Sequence, residues 1–291
     1  MNKYLRAVGF SEMKKTDEVN RLLWETVKNY DSKNVTEMKN AVRFAEFTRE
    51  FAPDCGLCVC GEYNDDDEFN IEYYFPYLVG SKISSSEDVI VERRADNEAY
   101  IGACDDLRID ISLIFHLINT ADYLNSYEKN GSEYKAASVM LSALCVDGKI
   151  LLPIIKTEKM VKERQKKLQK RTALMMAAKK GDEDAMESLN VEDMDAYNEI
   201  SRRVGNEDIY SIIDNCFMPY GFGSDMYSVI GDIYDVSEVK NSLTGDELVK
   251  LTIDCNDIGL DVCINKKDLL GEPLVGRRFK GIIWLQGKVE F

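Results

Sequence analysis

Apolar residues recur along this chain with two different periods. Between residues 14 and 30, Val19, Leu22, Leu23, Thr26 and Val27 fall at helical spacing behind a Thr16-Asp17-Glu18 start, which predicts an amphipathic helix. A second helix is predicted from Thr36 to Phe47, where Met38, Val42 and Ala45 share one stripe. From residue 55 the period changes to two. GLCVCGEY, FNIEYYFPYLVG, SEDVIVER, EAYIGACD, DISLIFHLI and ASVMLSAL with GKILLPI are rich in β-branched and aromatic residues. Turn clusters such as NDDDEFN, SKISSSED and ADNE separate them. No regular helices intervene, so an antiparallel sheet is favoured over a doubly wound one.

Residues 157–180 return to a helical pattern, with Val161, Leu168 and Met175 seven apart and Glu163 four before Lys167. Gly181 is placed to end this helix, and Asp182, Glu183 and Asp184 give the next one an acidic first turn. Asn190 is placed to cap a third helix, along which Met194, Tyr197, Ile200 and Val204 form a stripe. Beyond it, MYSVIGDIYDV, ELVKLTIDCN, IGLDVCINKK and RRFKGIIWLQGKVEF read as strands, with LTGDE and NDIG as turns. DLLGEPLVG interrupts the pattern before the last strand. Such a series suits a small closed barrel like the oligonucleotide/oligosaccharide-binding (OB) fold. The expected class is therefore α+β: a helix-flanked antiparallel-sheet domain at 1–156, a charged helical connector at 157–204, and an OB-like β-barrel at 205–291.

Composition narrows the class. With 45% apolar residues in 291, wholesale disorder is excluded. Uncharged apolar runs fall far short of the ~20 residues of a membrane span. MNKYLRAVGF lacks the apolar stretch of a secretory signal, so a cytoplasmic location is expected and no membrane partner. A net charge of −15 opposes nucleic acid and anionic membrane over most of the surface. The charge is uneven: residues 156–180 carry a net +8 and residues 181–200 a net −8. The two blocks can neutralise each other within one helical hairpin, or the basic face can meet an acidic partner or a phosphate backbone.

The eight cysteines read as free thiols. Cys55, Cys58 and Cys60 in PDCGLCVCGEY could supply thiolates to zinc or an iron–sulfur cluster, with Cys104 a fourth, but no second CxxC accompanies them. Cys58 and Cys60 also fit an alternating strand as small buried apolar residues, and this structural reading is favoured over a metal site because a single CxxC carries little information. The lone histidine, His116, lies in the apolar run ISLIFHLIN, where a hydrogen-bonded core role is expected. A Ser–His or Cys–His enzyme would have to use it, and multi-histidine zinc sites are excluded. Asp65, Asp66, Asp67 and Glu68 lack EF-hand spacing and read as a hairpin tip. GFGSDMYSVIG, with Gly221 and Gly223, is not a dinucleotide fingerprint, and neither a P-loop nor a GxSxG elbow occurs.

EYYFPYLVG, CDDLRIDISLIFHL, AAKKGDEDAMESL and above all DVCINKKDLLGEPLVGRRFKGIIWLQG resemble an uncharacterised domain-of-unknown-function family of clostridial bacteria. The likeness runs over nearly the whole chain. It implies a cytoplasmic bacterial protein and brings no catalytic residues or cofactor with it.

Two sets of polar residues remain as binding candidates. Glu62, Glu72, Tyr73, Tyr74, Glu92, Arg93, Asp105, Asp106 and Arg108 lie in or beside the first sheet. Facing one way, they would form a cleft for a cationic or hydroxylated ligand; facing outward, they would be ion pairs on a solvated surface. Arg277, Arg278 and Lys280 with Phe279 and Trp284 could stack bases and hold phosphates, or could rim a packed aromatic core. No catalytic constellation stands out. The leading expectation is a non-enzymatic protein that binds a protein partner or itself. Small-molecule binding or acid–base chemistry in the first domain is the alternative, and single-stranded nucleic-acid binding by the barrel a third.

Overall fold

The strand-like runs of the first half join two different sheets. In the computed structural model, residues 2–38, 42–94, 99–109, 111–131, 138–154, 158–205, 207–221 and 224–291 are described. The expected turn at 95–98 and Gly223 lie outside them. Helix α1 (Thr16–Lys28) forms as its spacing predicts, burying Val19, Leu22, Leu23 and Thr26. The expected second helix does not form. Residues 36–37 and 43–47 of that segment belong to strands β1 (Ser32–Glu37) and β2 (Arg43–Ala52), which pair antiparallel. The reason is tertiary: β2 lies inside a sheet and buries Phe44, Ala45, Glu46 and Phe47 on both faces. A one-sided helical stripe could not do that. β3 (Cys55–Tyr63) and β4 (Phe69–Leu78) complete a four-stranded antiparallel sheet in the order β1-β2-β3-β4. The β3–β4 turn is the acidic hairpin tip, in which Asn64 Oδ1 accepts the amides of Asp66 and Glu68.

Strands β5 (Val89–Arg93), β6 (Tyr100–Asp105) and β7 (Ser112–Leu117) form an antiparallel ribbon. Helix α2 (Thr120–Asn130) follows, and then β8 (Ser138–Leu151). In the second half, α5 (Ile209–Ile212) and β9 (Cys216–Pro219) precede β10 (Met226–Lys240), β11 (Glu247–Cys255) and β12 (Ile258–Asn265). Short β13 (Leu269–Leu270) and β14 (Arg278–Glu290) end the series. β10, β11 and β12 make an antiparallel meander, and β14 pairs antiparallel with β10. β8 closes the barrel, parallel to β12 and antiparallel to β14. This is the pairing of an OB fold whose last strand has moved to the front of the chain. The sequence reading placed that strand in the first sheet; its pattern shows that it is buried but not what it pairs with. β7 then joins the outside of the barrel by a short parallel pairing to Gln286 and Gly287 of β14.

The connector is a helical hairpin of α3 (Glu158–Lys179) and α4 (Glu183–Val204). Gly181 takes a positive φ of 89°, and Asp182 caps α4 by accepting the Ala185 amide at 3.1 Å. α4 continues through Asn190, so the expected third helix is the second half of α4. Lys170 meets Glu192 at 2.6 Å and Arg171 meets Asp193 at 2.9 Å, which pairs the two charge blocks across the hairpin as the sequence suggests. Among the described residues, no helix is long and apolar enough to cross a membrane.

Two cores result. One fills the barrel and the β5–β7 ribbon around Phe115, Val229, Ile253, Phe279 and Leu285. The other lies between the four-stranded sheet, α1, a 3-10 turn at Lys3–Val8 and the outer barrel wall, where Leu144, Leu248, Cys263 and Trp284 face it. The first sheet thus covers part of the barrel's outside, and Cys55 meets Cys263 at 3.9 Å across the seam.

Candidate functional site

The turn at Lys3–Val8 is capped by Asn2, whose Oδ1 accepts the Tyr4 amide at 2.9 Å. That cap sets the Tyr4 ring against Trp284 of β14, with centroids 5.1 Å apart and planes nearly parallel. β4 brings Tyr73, Tyr74 and Phe75 to the same place, β7 brings His116, and the entry to β10 brings Asp225 and Met226. With Asn2, Lys3, Arg94 and Ala99 these residues line a cavity of about 290 Å³. The walls are rings, and the polar groups are few and convergent, as in sites that hold small molecules.

Asp225 is buried and its Oδ2 accepts two hydrogen bonds, from Arg94 at 3.0 Å and from the Trp284 indole at 2.9 Å. The guanidinium and carboxylate therefore offset each other at the wall. The Tyr74 hydroxyl accepts the Asn2 amide at 3.3 Å. His116 is only 4% exposed. It stands edge-on to Phe75 at 4.4 Å, and Trp284 lies 4.9 Å away. Burial, and then the positive charge of Arg94, push its pKa down to about 3, so the imidazole is neutral. Its Nε2 has no hydrogen-bond partner among the described residues. A buried polar atom left unpaired costs about 1–3 kcal/mol, and here it belongs to a residue that lines a space large enough for a small ligand.

Of the first set of sequence candidates, Tyr73 and Tyr74 line this cavity, and from the second set Trp284 does; the others do not join them. Glu62, Glu72 and Arg93 gather near Tyr100 on the surface. Burial first and Glu62 second raise the Glu72 pKa, and Arg93 lowers it. Glu92 follows β5 alternation to the other face, near Tyr123. Asp105 is exposed and accepts a hydrogen bond from Ser112. Asp106 and Arg108 form a clasp instead. Arg108 donates to Asp106, to the Ser84 carbonyl at 2.6 Å and to the Asp257 carbonyl at 2.6 Å, which ties the β6–β7 loop to the β11–β12 turn. Burial works to raise the Asp106 pKa, but the bonds from Arg108 and Ser85 hold it below its ordinary value. The nine residues thus do not make the single cleft that the sequence allowed.

The basic and aromatic set of β14 is not a shared surface either. Arg278 is 3% exposed and donates to the carbonyls of Leu152, Ile213 and Tyr210 at 3.0, 2.8 and 2.7 Å. Lys280 lies over the Tyr210 ring at 4.4 Å, Arg277 donates to the Glu272 carbonyl at 2.8 Å, and Trp284 is inside the cavity wall. β14 is an interior junction, so Arg278 turns to backbone carbonyls and Lys280 to Tyr210 rather than to a shared ligand surface.

The cysteines separate. Cys55 faces Cys263, and Cys104 belongs to the barrel-side core. Cys58 and Cys60 stay together with sulfurs 3.6 Å apart, beside Glu46. Both Glu46 oxygens accept backbone amides from the start of α2, those of Thr120 and Ala121, each at 3.0 Å. Burial raises the Glu46 pKa to about 7 against the lowering effect of those amides. Sequence reasoning missed Glu46, Arg94, Asp225 and Tyr4. Asp225 lies in the GFGSDMY segment, which carries meaning only once it is folded against Trp284.

Comparison with known proteins gives one family. The profile described as a domain of unknown function from E. rectale, DUF3881, matches residues 5–287. No curated protein and no solved structure shows significant similarity.

Proposed function

For a chain that thus belongs to the DUF3881 family, we propose that the function is to bind a small molecule in the cavity around His116. One observation carries the reading: His116, whose buried Nε2 has no partner among the described residues, lines a ring-walled space assembled from distant segments of the chain. The chemistry of the walls defines the ligand class. A flat molecule suits the rings of Tyr4, Tyr73, Tyr74, Phe75 and Trp284. A neutral one suits the self-compensated Arg94–Asp225 pair, and one hydrogen-bonding group answers His116.

Because His116 is the only histidine, its imidazole is a single-site reporter in a chain freed of any tag. The test titrates ¹⁵N-labelled protein with indole, phenol and benzimidazole and follows the imidazole nitrogen signals. A saturable Nε2 shift that weakens at least severalfold in Tyr74→Ala supports the reading. No shift with any of the three up to their solubility limits overturns it.

A specific surface favours a second reading, self-association. On α4, Met194, Tyr197, Ile200 and Val204 are exposed, Tyr197 to 72%. We propose a second copy of this chain as the occupant, because the charges of basic α3 and acidic α4 beyond the Lys170–Glu192 and Arg171–Asp193 pairs make the hairpin complementary to itself across a twofold axis. Native mass spectrometry is expected to show a dimer that Tyr197→Glu splits. A concentration-independent monomer removes this reading.

A further inference from the structure

We propose that Cys58, Cys60 and Glu46 form a binding site for one zinc-class divalent ion, completed by the hydroxyl of Tyr73. Sheet register builds the cluster: Glu46 of β2 lies opposite Cys60 of β3, which lies opposite Tyr73 of β4, so the three share one row. Cys58, two residues along β3, falls on the same face. The cysteine sulfurs and a Glu46 oxygen all lie within 4.8 Å of one another. Two thiolates on one tetrahedral zinc stand about 3.8 Å apart at ordinary zinc–sulfur lengths; here the sulfurs are 3.6 Å apart.

A second, independent observation points to a ligand. Thr120 is 1% exposed, and its hydroxyl has no hydrogen-bond partner among the described residues; neither has the buried Tyr73 hydroxyl. Both residues border the cluster: Tyr73 lies opposite Cys60 in the β3–β4 register, and Thr120 gives its amide to Glu46 at 3.0 Å. Close packing explains two thiols in a core. It does not explain two buried hydroxyls without partners in residues that border them and a buried carboxylate, where each unpaired oxygen costs about 1–3 kcal/mol.

The charges balance acceptably. An ion would bind both cysteines as thiolates, their protons passing to solvent, so that two thiolates and one carboxylate surround a dipositive centre. The residual negative charge meets the start of α2, whose Thr120 and Ala121 amides already point at Glu46. Sulfur with carboxylate oxygen is the donor mixture of zinc, and of cobalt(II) as its spectroscopic substitute. Glu46, Cys58 and Cys60 are each at most 3% exposed, so loading belongs to folding rather than to later exchange.

The test expresses the full chain in zinc-depleted, cobalt-supplemented medium. Native mass spectrometry should show one cobalt per chain, and the ultraviolet spectrum a thiolate-to-cobalt charge-transfer band. Cys58→Ala/Cys60→Ala should lose both. Tyr73→Phe removes one oxygen and keeps the ring, so it should fold and weaken cobalt binding at least tenfold against a competing chelator. A folded chain that takes up no cobalt overturns the proposal. So does cobalt retained without the charge-transfer band, or held as tightly in Tyr73→Phe as in the parent.

Discussion

Trp284 donates its indole N–H to the buried carboxylate of Asp225 at 2.9 Å, and the same oxygen holds Arg94 at 3.0 Å. The contact ties β14 to the entry of β10 and fixes the tryptophan ring as a wall of the cavity. Trp284→Phe retains an aromatic ring but leaves the carboxylate one donor short. We expect it to cost about 1–3 kcal/mol, read as a lower urea midpoint with an unchanged slope. Asp225→Ala, which removes the acceptor of both donors, should cost more than Trp284→Phe.

His116 gives folding a pH dependence with a definite sign. The unfolded imidazole titrates near 6.5 and the folded one near 3. Between those values the unfolded chain holds the extra proton, so stability falls as pH falls, by about 1.4 kcal/mol per unit. Above pH 7 this contribution is fully present. Denaturation midpoints of the parent and of His116→Leu, measured from pH 7.5 to pH 4, should diverge from their pH 7.5 difference below pH 6.5. The imidazole nitrogen signals at pH 5 should still be those of the neutral ring.

Phe115 lies between two glycines. A Cβ on Gly102 would come within 2.3 Å of its ring, and one on Gly287 within 2.4 Å. Both positions face the buried seam where the β5–β7 ribbon meets β14, so the ring has nowhere to move. Gly102→Ala is expected to cost about 1–3 kcal/mol by overpacking. Phe115→Leu in the same chain should recover part of that loss, and a double-mutant cycle in urea measures the coupling.

Arg278 holds the returning connector. Three donated bonds reach the carbonyls of Leu152, Ile213 and Tyr210, on both sides of the hairpin. Arg278→Lys keeps the charge but loses the fork that serves three acceptors at once. Amide exchange should quicken in residues 209–215 while the β10–β12 meander stays protected. Equal exchange in both proteins would show that the fork is dispensable.

Local pattern made much of this fold legible. The period-two runs became strands, the charge blocks became a paired hairpin, and Gly181 and Asp182 mark the turn between its helices. Pairing was not legible. Residues 36–47 carry a short helical stripe that sheet burial overrides, and nothing in Ser138–Leu151 says that it belongs with strands beyond residue 225. The site was hidden for a related reason. Glu46, between Ala45 and Phe47, looks like a solvent position until α2 supplies two amides to bury it. Tyr73 and Tyr74 were visible as aromatic residues of a strand, whereas Asp225, Arg94 and Tyr4 acquire chemistry only through each other and Trp284.

β8 precedes the hairpin and its barrel partners β12 and β14 follow it, so the two halves of the chain are clasped together by backbone ladders rather than by the covalent link between α3 and α4. The peptide bond at Gly181 then bears little of the load of holding the molecule together. A protease that nicks the hairpin there should release nothing: the fragments should travel as one particle until denaturant parts them. Produced as separate chains, they should find each other through β8. The barrel would serve as a fastener between two polypeptides, and its reassembly as a signal that they have met.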